Sequence, residues 1–217
     1  ENLSTINKRE DLTAVVKDLM QSLREMTEIN RRLGAELQAT KSEIEQLRKN
    51  LDTIRHESRC DPLTGLINRR TFDQMLPKAI SEATESHAPL SLIMGDIDHF
   101  GIFNDTCGHA TGDKVLQLVA GLLKDQFKDQ GIVARYGGEE FVMVMPNTDM
   151  GAARAVADEI RRRVMSKVVI DRSTSRNLGR VMMSLGVASA RTGDTAYTLL
   201  QRVDACLSAA KRHGRNL

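Results

Sequence analysis

A heptad repeat of apolar residues between residues 12 and 58 constrains the fold of this chain more than any other feature. The a positions are Val16, Leu23, Asn30, Leu37, Ile44, Leu51 and Ser58, and the d positions are Leu12, Leu19, Met26, Leu33, Thr40, Leu47 and Ile54. A two-position stripe that keeps one register over about six heptads predicts a coiled coil. The alternative is one amphipathic helix packed on its own domain, which needs a wider apolar face. We therefore predict a dimerisation and signalling stalk over residues 1–58 and a globular domain over residues 59–217.

The polar residues of this repeat indicate a parallel homodimer. Asn30 at an a position favours two strands in one register, because paired amides satisfy each other. Glu36 at g can reach Lys41 at e of a partner, and Glu43 at g can reach Arg48 at e, as parallel pairing requires. The centre is weaker, since Asn30, Gly34 and Thr40 cluster there. This is consistent with a site of register shift or with a tolerated imperfection.

Composition excludes several classes of protein. The formal net charge is +2, aromatic residues make up 3% of the chain and tryptophan is absent, so we expect no nucleic-acid partner. No stretch approaches the roughly 20 apolar residues of a membrane span, and no secretory signal is present. Three scattered cysteines, Cys60, Cys107 and Cys206, favour a reducing cytoplasm. Because the chain begins at Glu1, we expect an upstream sensor, which leaves open a membrane attachment outside this fragment.

The rest of the sequence predicts an α/β sandwich. Pro62 ends the stalk. The expected elements are a helix over 68–85, a central strand within 89–100, a helix over 112–127, a hairpin over 131–146, a helix over 151–166, a strand over 180–190 and a helix over 195–212. This order implies an antiparallel sheet covered by helices. We expect a type I′ turn at Gly137 and Gly138, because two glycines supply positive φ angles.

Four carboxylates mark the chemistry. Asp96 and Asp98 end the central strand, and Glu139 and Glu140 follow the glycines of the hairpin. If the hairpin pairs with that strand, the acids converge and repel one another unless they share a cation. All-oxygen ligands suit Mg²⁺ or Mn²⁺, and glycines let a bulky ligand approach the backbone. The alternative is a solvated hairpin with two surface acids.

Five motifs in order, "DPLTGLINRR", "DIDHF", "FNDTCGHATGDKVL", "RYGGEEF" and "AAKRHGRN", resemble the GGDEF family of diguanylate cyclases. The resemblance covers roughly residues 60–217. It implies a nucleotidyl-cyclase fold related to polymerase palm domains. It also implies synthesis of cyclic di-GMP from two GTP molecules, with release of two pyrophosphates.

The resemblance also implies roles for individual residues. The metal ligands, for two Mg²⁺ or Mn²⁺ ions per site, are Asp96, Glu139, Glu140 and the carbonyl of Ile97; Asp96 and Glu139 are the catalytic pair, and Glu139 helps to remove the 3′-hydroxyl proton. The substrate-binding residues are Asn104 and Asp113 for guanine, Lys211 and Arg215 for phosphates, and Phe100, Gly137 and Gly138 around them. Without the resemblance, Asn104 reads equally as a turn former, Asp113 as a helix N-terminal acid, and Lys211 and Arg215 as cations at a helix C-terminus.

Three positions depart from the family pattern. Gly101 stands where a triphosphate-facing lysine is usual, and Ser208 where tyrosine is frequent. Lys128 and Gly131 replace the Arg-x-x-Asp pair of the product-inhibition site, so we expect that site to be degenerate.

Our interpretation is an active cyclase controlled through a parallel coiled-coil dimer, with one GTP held by each domain. The alternatives are a weak or inactive GGDEF domain that binds GTP or a partner as a regulatory module, and a purely structural dimerisation protein.

Overall fold

The computed structural model describes residues 2–128, 131–171 and 176–217, and in its first helix it describes side chains at 16–46 (apart from 18, 35 and 39) and at 59. The chain divides into two compact units, Glu1–Arg55 and His56–Leu217. The first element is a helix, α1 (Asn2–Arg59). No helix in the described part of the chain is both long and apolar enough to cross a membrane.

In α1 the predicted a/d stripe faces solvent. The apolar a and d side chains that the structure describes, 45–61% exposed, are Val16, Leu19, Leu23, Met26, Leu33, Leu37 and Ile44. The side chains of Leu12, Leu47, Leu51, Ile54 and Ser58 lie outside the described residues. A contiguous exposed apolar stripe marks an interaction surface, so the dimer stays a prediction that this stripe supports.

The globular unit is built around one mixed sheet. Its elements are β1 (Ile67–Asn68), α2 (Arg69–Ser86), β2 (Leu90–Ile97), α3 (Phe100–Cys107), α4 (His109–Gln126), β3 (Ile132–Arg135), β4 (Glu140–Pro146), α5 (Met150–Met165), β5 (Val168–Asp171), β6 (Arg176–Arg180), β7 (Met183–Ser189) and α6 (Ala196–Arg212). The sheet order is β1-β3-β4-β2-β7, and β5 and β6 form a separate two-stranded sheet. In the large sheet only the β1–β3 pair is parallel.

Helices cover both faces of the sheet, because successive side chains of a strand point to opposite sides. Ile93 and Ile97 of β2 belong to the core cluster formed with α4 and α5. Leu92 and Met94 belong to the cluster formed with α2 and α6. Strand β2 is buried along its whole length, so its last residues are held rigidly between two packed layers.

Helix α6 approaches β7 closely at Gly186. A Cβ atom on this buried glycine would lie 2.4 Å from the backbone nitrogen of Leu207 and 2.5 Å from the carbonyl oxygen of Val203. Backbone therefore rests on backbone at this point, which only glycine permits.

The structure differs from the sequence predictions in four places. Strand β1, helix α3 and the β5–β6 hairpin were not predicted. The predicted type I′ turn is wrong, because neither Gly137 nor Gly138 has a positive φ. The strands are instead joined by the longer loop 136–139, in which the amides of Tyr136 and Gly137 both donate to the Glu140 carbonyl, at 2.8 and 3.3 Å. A loop of this length reverses the chain without the left-handed residues that a two-residue turn demands.

Candidate active site

The acids of the central strand and of the hairpin meet at one end of the sheet. Strand β2 pairs with β4 in antiparallel register, and Asp96 is opposite Glu140. The amide of Ile97 donates to the carbonyl of Glu139 at 3.2 Å. The convergence expected from the sequence is therefore present: Asp96 lies on a paired strand, and the loop residue Glu139 is tied to that strand through its backbone carbonyl.

Asp96 lies in a buried place next to one cation. The residue is 6% exposed, and Lys211 Nζ is 2.8 Å from its Oδ2. Burial raises the pKa of Asp96 above its ordinary value, and the ammonium of Lys211 opposes that shift. The ammonium shows that a positive charge fits against this carboxylate in the folded chain.

Glu139 is the second carboxylate of the site. Its pKa is raised, first by burial and then by the negative charge of Asp96, with Glu140 adding to the effect and Lys211 opposing it. A half-buried carboxyl group whose pKa is raised by burial and by a neighbouring acid is characteristic of a cation or catalytic site.

The donor set fits a hard divalent ion that is shared with a ligand. Among the described residues, no three or more His, Cys, Asp or Glu side chains cluster closely enough to enclose a metal. Asp96 and Glu139 thus offer two carboxylates, and Mg²⁺ commonly binds through one or two carboxylates with substrate phosphates and water completing its shell. Glu140 turns back over the hairpin loop, since a Cβ on Gly137 would lie 2.3 Å from Glu140 Oε2. A side chain at position 137 would therefore displace the Glu140 carboxylate from this place.

Arg135 links the hairpin loop to Asp61 through hydrogen bonds on both sides of its guanidinium. Its guanidinium donates to the carbonyl of Gly138 at 2.7 and 3.2 Å and to both oxygens of Asp61 at 3.1 and 3.2 Å. Burial acts to raise the pKa of Asp61, but hydrogen bonds from Thr64 and Arg135 hold it below the ordinary value. The sequence analysis did not predict this contact between Arg135 and Asp61, although both residues lie in motifs that it identified.

The predicted guanine-binding residues come from α3 and α4. Asn104 Oδ1 is buried and has no hydrogen-bond partner among the described residues, and it packs so close to Gly112 that a Cβ there would lie 1.8 Å away. Asp113 is exposed and lies beyond the first turn of α4, so it is not a helix N-terminal acid. Phe100 is 6% exposed and belongs to the core, where it supports this pocket from inside.

Asp98 differs from Asp96 because both of its carboxylate oxygens accept hydrogen bonds from protein groups. Its Oδ1 accepts from the hydroxyl of Ser184 at 2.7 Å, and its Oδ2 accepts from the backbone amide of Asn216 at 3.0 Å. Both oxygens thus face protein donors, and the second acid of "DIDHF" ties strand β2 to the C-terminal segment that carries Arg215. Sequence reasoning assigned Asp98 to the acidic cluster and did not predict these contacts.

The positions that depart from the family pattern differ in their surroundings. A Cβ on exposed Gly101 would meet no described atom within 4 Å, so a side chain is sterically acceptable there. Lys128 forms an exposed ion pair with Asp125 at 3.7 Å. Gly131 packs on the sheet, where a Cβ would lie 2.3 Å from a backbone oxygen of β4. Residues 129 and 130, between them, lie outside the described residues.

Comparisons with known proteins agree with this geometry. The family model "Diguanylate cyclase, GGDEF domain" matches residues 58–217. Diguanylate cyclase VdcA of Vibrio cholerae is 33% identical over 207 residues, which cover 95% of this chain and 60% of the relative. Response regulator PleD of Caulobacter vibrioides is 37% identical over 202 residues, which cover 93% of this chain and 44% of the relative. The chain thus spans 60% or less of the length of these curated relatives.

A solved structure also matches the fold. The coiled coil and GGDEF domain of DgcB from Caulobacter crescentus, crystallised with c-di-GMP, superimposes with a TM-score of 0.82 at 39% identity. The match covers 85% of this chain and 96% of that one. The predicted α/β fold, an antiparallel central sheet covered by helices and preceded by a long helix, is confirmed.

Proposed function

Because this chain belongs to the GGDEF family of diguanylate cyclases, we propose that it condenses two GTP molecules into cyclic di-GMP and releases two pyrophosphates. The observation that carries the proposal is the meeting of Asp96 and Glu139 beside Lys211 at the end of β2. Two acids and a cation at a rigid strand end are what transfer of a nucleotidyl group to a hydroxyl requires.

The substrate would be held from three elements. Asn104 of α3 carries a buried carbonyl oxygen that lacks a described partner, and such an oxygen can accept from the amino edge of guanine. Asp113 of α4 can accept from the same edge. Lys211 and Arg215 would bind phosphate oxygens, Lys211 by exchanging its contact with Asp96 for one with the triphosphate.

Divalent metals are generally used by GGDEF cyclases, and we propose two Mg²⁺ or Mn²⁺ ions per site, held by Asp96, Glu139 and the carbonyl of Ile97. Glu140 would join them when its carboxylate turns away from Gly137. When bound, such ions polarise the α-phosphate and make the 3′-hydroxyl more acidic. The protein supplies orientation and a proton acceptor. Glu139, whose pKa is raised, is suited to take the 3′-hydroxyl proton as the oxygen attacks the α-phosphorus and pyrophosphate leaves.

The reaction needs two domains, because each GTP must present its 3′-hydroxyl to the α-phosphate of the other. We assign residues 1–58 as the stalk that pairs two chains in parallel and residues 59–217 as the catalytic domain. The exposed a/d stripe of α1 supports this assignment. Pairing keeps the two domains at high effective concentration, and an upstream sensor could control activity through the coil. GTP is a cytoplasmic nucleotide, so we place the reaction in the bacterial cytoplasm.

A second candidate is a regulatory module that binds GTP or a partner with little turnover. Gly101 favours it, because the usual lysine is missing and the space around the glycine is open. The raised pKa values of Asp96 and Glu139 favour the cyclase, since a module that only binds a ligand does not need two neighbouring acids of like charge.

The deciding experiment incubates the purified chain with GTP and Mg²⁺ and detects cyclic di-GMP by mass spectrometry. Glu139→Gln is the matched control, because it keeps the shape of the side chain and removes its charge. Product from the parent and none from the variant is the expected result. Tight GTP binding by the parent without any product would overturn the cyclase and favour the regulatory module.

A further inference from the structure

Two acids, Asp96 and Asp98, lie two residues apart at the end of β2 and have different partners. Asp96 faces the cation of Lys211, whereas Asp98, which is 7% exposed, receives hydrogen bonds from Ser184 and from the amide of Asn216. The Asn216 amide also reaches Ser184 Oγ at 3.1 Å. Asp98 is therefore the centre of a buried contact that joins residues 118 positions apart.

The segment that Asp98 holds has a costly backbone conformation. After α6 ends, Gly214, Arg215 and Asn216 all have positive φ angles, of 118°, 63° and 47°. For arginine this left-handed region is unfavourable, and it persists only where the surroundings enforce it.

Further contacts fix the same segment at its end. The amide of Leu185 in β7 donates to the carbonyl of Leu217 at 2.7 Å, so this segment continues the edge of the sheet. Asn216 Nδ2 lies 3.3 Å from Met165 Sδ, which is a weak acceptor. The strong, charge-assisted contact is the one to Asp98.

The cations proposed for phosphate binding flank this anchor. Lys211, in the last turn of α6, reaches Asp96 at 2.8 Å. Arg215 directly precedes the residue whose amide Asp98 binds, and its positive charge lowers the pKa of Asp96. The Arg215 guanidinium is thus near enough to the site for its charge to act on Asp96, and the backbone of the left-handed turn decides where that side chain starts.

We propose that Asp98 is a positioning residue of the nucleotide site: by fixing segment 214–217 it holds Arg215 towards the phosphates of the bound nucleotide. This rests on the proposed function, since it assumes that a nucleoside triphosphate occupies the site beside Asp96. Asp98 acts through Arg215 and has no contact of its own with the ligand.

The test is a double-mutant cycle with Asp98→Asn, Arg215→Ala and the double variant, measured as the Kd of a non-hydrolysable GTP analogue with Mg²⁺ by calorimetry. We expect Asp98→Asn and Arg215→Ala each to raise the Kd about tenfold. The Kd of the double variant should be no more than about twofold higher than that of Arg215→Ala alone. Hydrogen exchange at the amides of Leu185 and Asn216 should become faster in Asp98→Asn. Ser91→Ala is the matched control, because it removes a buried hydrogen bond at the opposite end of β2 and should leave the Kd unchanged.

Two results would overturn the proposal. One is a full further loss of affinity when Asp98→Asn is added to Arg215→Ala, since independent effects multiply. The other is an unchanged Kd in Asp98→Asn although the amides of Leu185 and Asn216 exchange faster. Ser184→Ala keeps the carboxylate and covers the case in which Asp98→Asn does not fold. It should raise the Kd by a smaller factor, and by none when Arg215 is already alanine.

The binding arm separates this proposal from the proposed function. A parent chain that binds the analogue but makes no cyclic di-GMP contradicts the cyclase, and the cycle of affinities still decides the role of Asp98. A parent chain that does not bind the analogue contradicts both.

Discussion

The two ends of strand β2 are equally buried and are bonded in opposite ways. At the start of the strand, Ser91 Oγ lies 2.8 Å from the carbonyl of Thr148 and 2.8 Å from Ser189 Oγ. At the other end, burial raises the pKa of both Asp96 and Glu139, and the charge of Asp96 adds to the shift of Glu139. Asn104 keeps a buried oxygen without a described partner there. The first end is satisfied within the protein. At the second end Asp98 is bonded within the protein, whereas Asp96, Glu139 and Asn104 are left to be completed by a ligand.

This difference separates stability from function. A buried polar group with protein partners contributes to the folded state, whereas a buried group without them costs free energy until a ligand arrives. The catalytic end of β2 should therefore tolerate loss of a charge in terms of stability but not activity. The opposite should hold for the end at Ser91.

The largest expected effect is that of Glu139→Gln. Turnover should fall by about a thousandfold or more, because the variant loses a metal ligand and the proton acceptor. In the absence of metal, Tm should rise by roughly 1–3 °C, since repulsion with Asp96 is removed. Glu159→Gln, an exposed change on α5, is the control. Turnover near the parent level, or a lower Tm, would contradict the comparison.

The next effect concerns pH. The pKa values of Asp96 and Glu139 are raised, so protons still compete with the metal for these carboxylates at pH values above the ordinary carboxyl pKa of about 4. We therefore expect kcat/KM to rise with pH, by up to about tenfold per pH unit, until the pH passes the raised pKa values. Above them kcat/KM should level off. For stability the sign is opposite. The folded state binds these protons more tightly than the unfolded state, so this contribution to the free energy of unfolding is lost as pH rises through the same window.

A pH series of kcat/KM and Tm on the parent and on Glu139→Gln checks both signs. The variant should show a shallower loss of Tm with rising pH, because one of the two groups no longer titrates. Identical Tm profiles would show that Glu139 does not contribute.

A smaller effect is expected from Gly101→Lys. It should lower the KM for GTP by roughly three- to tenfold, because a well-aligned ammonium adds a charge-assisted contact with the triphosphate. Gly121→Lys on α4, which also replaces an exposed helical glycine in open space, controls for helix propensity and for added charge. An equal change in KM from both variants would remove any specific role of position 101.

The smallest effect on activity is expected from Ser91→Ala. Loss of its buried hydrogen bonds should lower the free energy of unfolding by about 1–2 kcal/mol, or roughly 2–6 °C in Tm. Turnover per folded molecule should not change. A fall in kcat without a fall in Tm would show that the two ends of β2 are not separable.

The sequence predicted those parts of the fold and the site that neighbouring residues encode. An apolar run that ends in acids predicted β2 and its Asp96, and the Gly-Gly-Glu-Glu segment predicted the facing hairpin. The contacts of Arg135 with Asp61 and of Asn216 with Asp98 join residues 74 and 118 positions apart, and no periodicity or turn preference encodes such pairs. The turn at Gly137 was predicted wrongly, because neither glycine has a positive φ and the chain reverses through the longer loop 136–139.

Gly186 sets the spacing on which the reach of Lys211 depends. Helix α6 rests on β7 there, within 2.4 Å of where a Cβ would stand, and Lys211 lies one turn beyond Leu207. A single added methyl group would push the helix outward and carry the ammonium away from Asp96. In a random library selected for product, this glycine should therefore be as invariant as the acids themselves, although it offers no functional group.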